Sequence, residues 1–238
     1  ENDLRFDMLL NIAGLDYEGA FLSREREAVC RIVSLNDAGT LRITHAVLER
    51  RREGRPFTAV FVSSLASLFP MPLKATYAAS KRFLLDFATA LRQELRLRLR
   101  LLTAVIDSLT LLRSDIVGRL LPLPEALRHL AASAPEPLSA QYAALADGIT
   151  DGDRPFSESW SAAFQALDML APDVRAALLT LGEQLGKYDA QLQRCALDAC
   201  IETLQAAAAR MQTDTAQRGK LFCGLGATLG LLAAVALF

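Results

Sequence analysis

Only two short runs in this chain of 238 residues read as β-strands, and everything after residue 97 keeps a helical period. Residues 6–10, FDMLL, and 57–63, FTAVFVS, are compact apolar runs of the kind buried in parallel sheets. Between them Val29, Ile32, Val33, Leu41, Ile43, Ala46, Val47 and Leu48 suit a helix closed by Gly54. Residues 76–98 continue as a helix. The first third therefore reads strand, helix, strand, helix, an α/β order. Two strands cannot build a sheet that is stable alone, and a parallel sheet needs cover on both faces.

The rest reads as all-α. Leu95, Leu99, Leu102, Val105, Leu109, Leu112 and Ile116 recur at three and four residues, which gives one apolar helix face. Gly118 and the run LPLPE break it, and Pro124 can open the next helix. Turns are expected at 133–137, SAPEP, at 147–155, DGITDGDRP, and at 171–173, APD. Ser157 and Glu158 start a helix that carries Trp160 and Phe164. Helices over 174–186 and 189–219 complete this part. Trp160 and Phe164, at i and i+4, belong to its core, and His129, beside Arg128, is expected on the surface. Gly182 and Gly186 either share one helix face or mark a tight turn. Asp189 can cap the last helix, with Gln193 one turn on.

Residues 221–238 hold no charge. As a helix they would be roughly 27 Å long at about 1.5 Å per residue, close to the ~30 Å of a hydrocarbon core. Arg218 and Lys220 precede them and can snorkel to headgroups, which places the helical part on the cytoplasmic side. Gly226 and Gly230 stand at the spacing of a membrane helix contact face. A terminal helix buried in a soluble core is the competing reading. The chain begins with Glu and shows no basic-then-apolar leader.

Apolar residues make up 52% and charged residues 22%, enough for a sizeable core. A net charge of −1 gives no electrostatic case for nucleic acid as a partner. Cys30, Cys195, Cys200 and Cys223 are too few and too scattered for a disulfide framework, and no His stands near the 195/200 pair, so no metal site is expected.

Residues 1–95 resemble the middle of a short-chain dehydrogenase/reductase. Asn11-Ile12-Ala13-Gly14 stands where that family keeps Asn-Asn-Ala-Gly after its fourth strand. Asn36 falls at its active-site Asn, Ser64 lies thirteen residues before Tyr77, and Tyr77-Ala-Ala-Ser-Lys81 is its Tyr-x-x-x-Lys motif. Tyr77 and Lys81 are four apart and share one helix face, and an ammonium beside a phenol favours the phenolate. The resemblance implies a catalytic tetrad: Tyr77 as acid/base, Lys81 beside it, Ser64 on the substrate oxygen and Asn36 holding a relay water. It implies a nicotinamide cofactor, NAD or NADP, against Asn11, Ala13, Gly14, Tyr77 and Lys81. The family binds the pyrophosphate with a Gly-rich turn after its first strand. Only ten residues precede Asn11, and the Gly-rich run GLGATLG at 224–230 follows a helical pattern. The tetrad is therefore expected to be a relic without activity and without a cofactor.

Residues 97–238 resemble stage III sporulation protein AB of endospore-forming bacteria. The similarity is carried by LLRSDIVGRLLPLPEALRHLA (111–131), FSESWSAAF (156–164), LGEQLGKYDAQLQ (181–193) and GKLFCGLGATLGLLAAVALF (219–238). It implies a place in a sporulation complex of the mother-cell membrane, likeness to the platform protein of type II secretion, and a companion cytoplasmic ATPase. That family starts with its own membrane helix and a basic stretch. Here LRQELRLRLRLL (91–102) supplies the basic stretch and the dehydrogenase-like segment stands in place of the first anchor.

The fold expected is mixed: a partial α/β, Rossmann-like fragment over 1–96, an all-α domain over 97–220 and a transmembrane helix over 221–238. The function expected is a non-enzymatic, membrane-anchored component of a stage III sporulation complex. The alternative is an NAD(P)-dependent oxidoreductase acting through Asn36, Ser64, Tyr77 and Lys81.

Overall fold

The structure is a computed structural model that describes residues 4–52, 55, 57–152, 154–186 and 190–216. The chain divides into two compact units, one built on the residues up to Leu95 and the other on Arg96–Met211.

In the first unit, β1 (Met8–Asn11) and β2 (Thr58–Phe61) pair in parallel, Met8 opposite Thr58 and Asn11 opposite Phe61. The connection is helical: α1 (Arg26–Val33), a π-helical stretch at Ser34–Gly39, then α2 (Thr40–Glu49). The expected single helix is thus interrupted by a π turn, and it ends at Glu49, short of Gly54. Helix α3 (Ala75–Arg113) follows β2. It contains neither Gly nor Pro, so nothing in it breaks the hydrogen-bond ladder, and the two helical segments expected around residue 97 are one helix. Strand β1 alternates exposed and buried residues. Leu9 is buried, whereas Met8 and Leu10 are more than half exposed and Ile12, just beyond, is too.

The second unit is helical. The end of α3 turns π-helical at Ser114–Gly118, and α4 (Leu123–Ser133), α5 (Leu138–Asp151), α6 (Phe156–Gln165), α7 (Pro172–Gln184) and α8 (Ala190–Ala216) follow. Pro124 lies in the first turn of α4, where its missing N–H is no loss. Helix α5 runs through Gly148 to Asp151, so the turn expected from residue 147 begins only at Gly152, whose φ of 69° ends the helix. One core joins the unit: Val105, Leu109 and Leu112 of α3, Leu127 and Leu130 of α4, Tyr142 of α5, Trp160 and Phe164 of α6, Leu178 of α7, and Leu197 and Leu204 of α8. The expected core role of Trp160 and Phe164 holds, since both are fully buried with ring centroids 4.6 Å apart.

The Trp160 ring is seated by α7. Its Nε1 donates to the Leu178 carbonyl at 2.7 Å, and a Cβ added at Gly182 would lie 2.2 Å from the ring. Gly182 is therefore a packing glycine, while Gly186, at φ 77°, makes the turn after α7. Among the described residues no helix is long and apolar enough to cross a membrane. The span expected at 221–238, and the capping role expected of Asp189, lie outside the described residues.

Gly182→Ala is expected to lower the free energy of unfolding by about 1–3 kcal/mol through overpacking against Trp160. Gly148→Ala, whose Cβ meets nothing within 4 Å, should be neutral or stabilising by up to about 1 kcal/mol. Urea titrations of both variants, followed by circular dichroism, make the comparison; equal midpoints would contradict the seating of the indole.

Candidate functional site

The candidate site forms where the parallel strands end. Asn11 is the last residue of β1, the chain leaves β2 through Val62, Ser63 and Ser64, and the first turns of α3 approach from the other side. The region beyond the carboxyl ends of parallel strands is where α/β folds place their ligands. The loop after β1 is tied to the start of α3: Gly19 N–H donates to the Leu73 carbonyl at 2.7 Å, and Lys74 Nζ lies 2.9 Å from Asp16.

Asn36 organises the site. It is fully buried in the π-helical stretch, and π turns often mark functional positions. Its Oδ1 accepts from Leu15 N–H at 2.7 Å, while its Nδ2 donates to the Leu15 carbonyl at 3.0 Å and to Ser80 Oγ at 2.9 Å. One side chain thereby clamps the post-β1 loop and touches α3. Ser80 passes the network on by donating to the Tyr77 carbonyl at 2.8 Å. Lys81 is 3% exposed and its Nζ donates to the Val62 carbonyl at 3.0 Å. Ser63 Oγ donates back to the Lys81 carbonyl at 2.8 Å, so strand end and helix are clipped twice.

The remaining residues fall around this network. Tyr77 is half-buried, with Lys81 Nζ 5.9 Å and Lys74 Nζ 5.7 Å from its ring centroid. The Tyr77 hydroxyl has no hydrogen-bond partner among the described residues. Ser64 caps a short 3-10 turn, its Oγ accepting from Ala66 N–H at 3.2 Å. Asn11 donates from Nδ2 to Thr44 Oγ1 at 3.0 Å, and Ala13 and Gly14 are exposed. The structure thus gathers Gly14, Asn36 and Lys81, with Tyr77 one turn from Lys81. Asn11 and Ser64 are engaged in separate local bonds.

Gly14 tests the fit of a cofactor. A Cβ there would meet Lys81 Nζ at 2.8 Å and Asn36 Oδ1 at 3.7 Å. The lysine head thus lies against the Gly14 backbone and is bonded to Val62, filling the space beside the glycine. Among the described residues no Gly-rich turn following a strand offers amides to a pyrophosphate. The described residues by themselves supply no pyrophosphate cradle, and no hydride step is built on them.

Asp37, next to Asn36, carries the site's shifted carboxyl. Burial raises its pKa above the ordinary 3.8, with the Lys81 charge pulling the other way, and its Oδ1 is buried without a partner among the described residues. Sequence reasoning passed over Asp37 and Ser80, although both adjoin motif residues. It also missed a second polar cluster in the helical unit. Asp115, fully buried in the other π turn, lies 2.6 Å from His129 Nδ1 and 3.2 Å from Arg119 Nη1. The expectation that His129 is only a surface residue is therefore corrected: its ring is part exposed, and one nitrogen contacts a buried carboxylate. Cys195 is exposed while Cys200 is buried, its thiol pushed up to about 12 by burial. Among the described residues no His, Cys, Asp and Glu cluster could hold a metal ion.

The comparisons with known proteins divide the chain in the same sense as the motifs. Residues 87–238 match the family model described as Stage III sporulation protein AB, well over half of the chain. The chain belongs to that family. Residues 2–103 match the model described as short chain dehydrogenase. The two matches overlap at 87–103, inside the unbroken α3. A very-long-chain 3-oxoacyl-CoA reductase of Laccaria bicolor is 37% identical over 76 residues, 32% of this chain and 22% of that protein. A protein of the same name from Coccidioides immitis is 34% identical over 95 residues, 39% of this chain and 27% of that protein. The chain thus spans about a quarter of the length of these curated relatives. A solved structure titled Stage III sporulation protein AB (SpoIIIAB) aligns over 48% of this chain and 92% of its own, at 22% identity and a TM-score of 0.44.

The Asp37 shift has a pH signature. Because the folded-state value is raised, this group's stabilising contribution is complete below pH 3.8 and is lost as pH rises through the folded value. Asp37→Asn is therefore expected to raise the unfolding temperature at neutral pH, with the advantage vanishing in acid. Thermal melts of both proteins across the acid range check this; an unchanged difference at every pH would contradict it.

Proposed function

We propose that the chain is a non-enzymatic component of a stage III sporulation membrane complex, carrying an inactive dehydrogenase-like segment. In this reading residues 1–96 are the relic segment, residues 97–220 the working helical domain, and residues 221–238 a transmembrane anchor that keeps the helical domain on the cytoplasmic side. Membership of the Stage III sporulation protein AB family over 87–238 is the observation that carries it. The charge-free run at 221–238, preceded by Arg218 and Lys220, supports the anchor and its orientation. The partners proposed are the membrane, other proteins of the sporulation complex and, among them, a cytoplasmic ATPase.

The inactivity of the tetrad is supported by the engagement of Lys81. Lys81 uses one of its three donors on the Val62 carbonyl, and its head lies against the Gly14 backbone, where the resemblance puts the cofactor. The second reading, an NAD(P)-dependent oxidoreductase, draws on one observation: Tyr77 and Lys81 share a helix face beside a fully buried Asn36. In it Tyr77 would be the acid/base and Ser64 would hold the carbonyl oxygen.

Two measurements separate the readings. In a detergent phase partition, the full chain is expected in the detergent phase, and a variant lacking 221–238 in the aqueous phase; a full chain that stays aqueous would contradict the anchor. Titration with NADH or NADPH should give no saturable binding. Saturable binding, with carbonyl turnover lost in Tyr77→Phe, would replace this reading by the enzymatic one.

A further inference from the structure

We infer that a row of arginines on α3 is a docking surface for an anionic lipid bilayer. Arg92, Arg96 and Arg100 succeed one another at four-residue steps, so they form one stripe along the helix. All three are exposed, and among the described residues none has an ion-pair partner. The chain as a whole carries a net charge of −1, so this stripe is a local concentration of uncompensated positive charge.

Packing explains why the stripe points outward. Leu99 packs against the helical core and Leu102 is 3% exposed, so the face of α3 that carries them is turned inward. At about 100° per residue Arg96 and Arg100 lie well around the helix from Leu102, while Arg92, near the line of Leu99, stands about two turns ahead of it and is exposed there. Beyond them on the exposed side stand Gln93 and Leu97, the latter 48% exposed. A cationic row edged by one exposed leucine can rest on a headgroup layer, guanidinium groups on the phosphates and the leucine toward the acyl boundary. Guanidinium pairs with phosphate oxygens in bidentate fashion, which suits a glycerophospholipid headgroup.

Charge complementarity singles out the occupant. The stripe offers donors and positive charge with one apolar residue, and an acidic membrane surface presents phosphate oxygens and an apolar layer beneath them. An acidic protein face offers carboxylate oxygens but no continuous apolar layer beneath them. The inference rests on the membrane reading above only for bringing a bilayer within reach. A polybasic surface of this kind contributes roughly fivefold in apparent binding per arginine, and salt screens it.

The test uses the full chain reconstituted into vesicles of phosphatidylcholine, with or without phosphatidylglycerol. An environment-sensitive fluorophore is placed by Leu97→Cys, with Cys30, Cys195 and Cys223 replaced by Ser and the buried Cys200 retained. Emission is expected to shift to the blue only when phosphatidylglycerol is present, and to return at high salt. The triple variant Arg92→Gln/Arg96→Gln/Arg100→Gln should lose the shift, and the triple Lys variant should keep most of it. The same shift in both lipids, a shift indifferent to the Gln substitutions, or one that arises only on adding an acidic protein would overturn the inference. Failure of the anchor is read separately. If the chain does not float with phosphatidylcholine vesicles, the anchor reading falls, while flotation with phosphatidylglycerol that the Gln variant loses still supports the stripe. Flotation with neither lipid overturns both.

Discussion

The apolar seam on the second half of α3 and the π turn that ends it is what the helical unit is built on. Leu102, Val105, Ile106, Leu109, Leu112 and Ile116 are all buried, and each helix from α4 to α8 adds side chains to the same core. Fully burying one such side chain is worth about 1.5–3 kcal/mol relative to exposure, so a contiguous core of this extent gives the unit a driving force of its own. Trp160 shows how tightly it is specified. Its indole fills the place that Gly182 leaves open and satisfies its one N–H on Leu178. An aromatic of that size is tolerated in a core only where the ring finds both space and a hydrogen-bond acceptor.

The first unit is held together differently. Among the described residues its buried apolar side chains are Leu9, Ile32, Phe57, Ala66, Ala78 and Leu84, while Met8, Leu10, Ile12, Phe21, Leu22 and Leu65 are among the large side chains left exposed. Burial alternates along β1, so Met8 and Leu10 share an exposed face. Beside these few buried apolar side chains, polar clamps join its described elements: Asn36 on Leu15 and Ser80, Lys81 on Val62, Ser63 on Lys81 and Asn11 on Thr44. A net hydrogen bond contributes about 0.5–1.5 kcal/mol, so such clamps fix geometry more than they drive folding. Asn36 and Lys81, two of the four residues that resemble a catalytic set, are thus also fasteners of the first unit.

Much of this was legible in the sequence, for physical reasons. The two strands could be found because a short apolar run bounded by polar residues has few alternatives, and Tyr77 and Lys81 could be paired because four residues is one helical turn. The turn expected at 147–155 begins late because Gly148, which resembles a stop signal, sits inside α5. A lone glycine inside a helix is a modest penalty, and the true stop is Gly152, where the backbone turns left-handed. The two π turns left no trace in the periodicity. They are local rearrangements that bury a polar side chain, Asn36 in one and Asp115 in the other, and only the partners reveal them. Those partners are far away in sequence: Leu15 for Asn36, and His129 for Asp115. Asp37 escaped notice because desolvation depends on what surrounds a carboxyl, which no spacing rule encodes.

The central claim is that folding stability, and with it the working identity of the chain, resides in the helical unit. Amide hydrogen exchange on the full chain, read by mass spectrometry, tests it most directly. The account predicts slow exchange over residues 102–113 and through α4 to α7, with β1 and β2 exchanging faster by orders of magnitude because they open without the helical core opening. Equal protection in β1, β2 and the α3–α7 core, rising and falling together with denaturant, would show a single cooperative unit and contradict the claim.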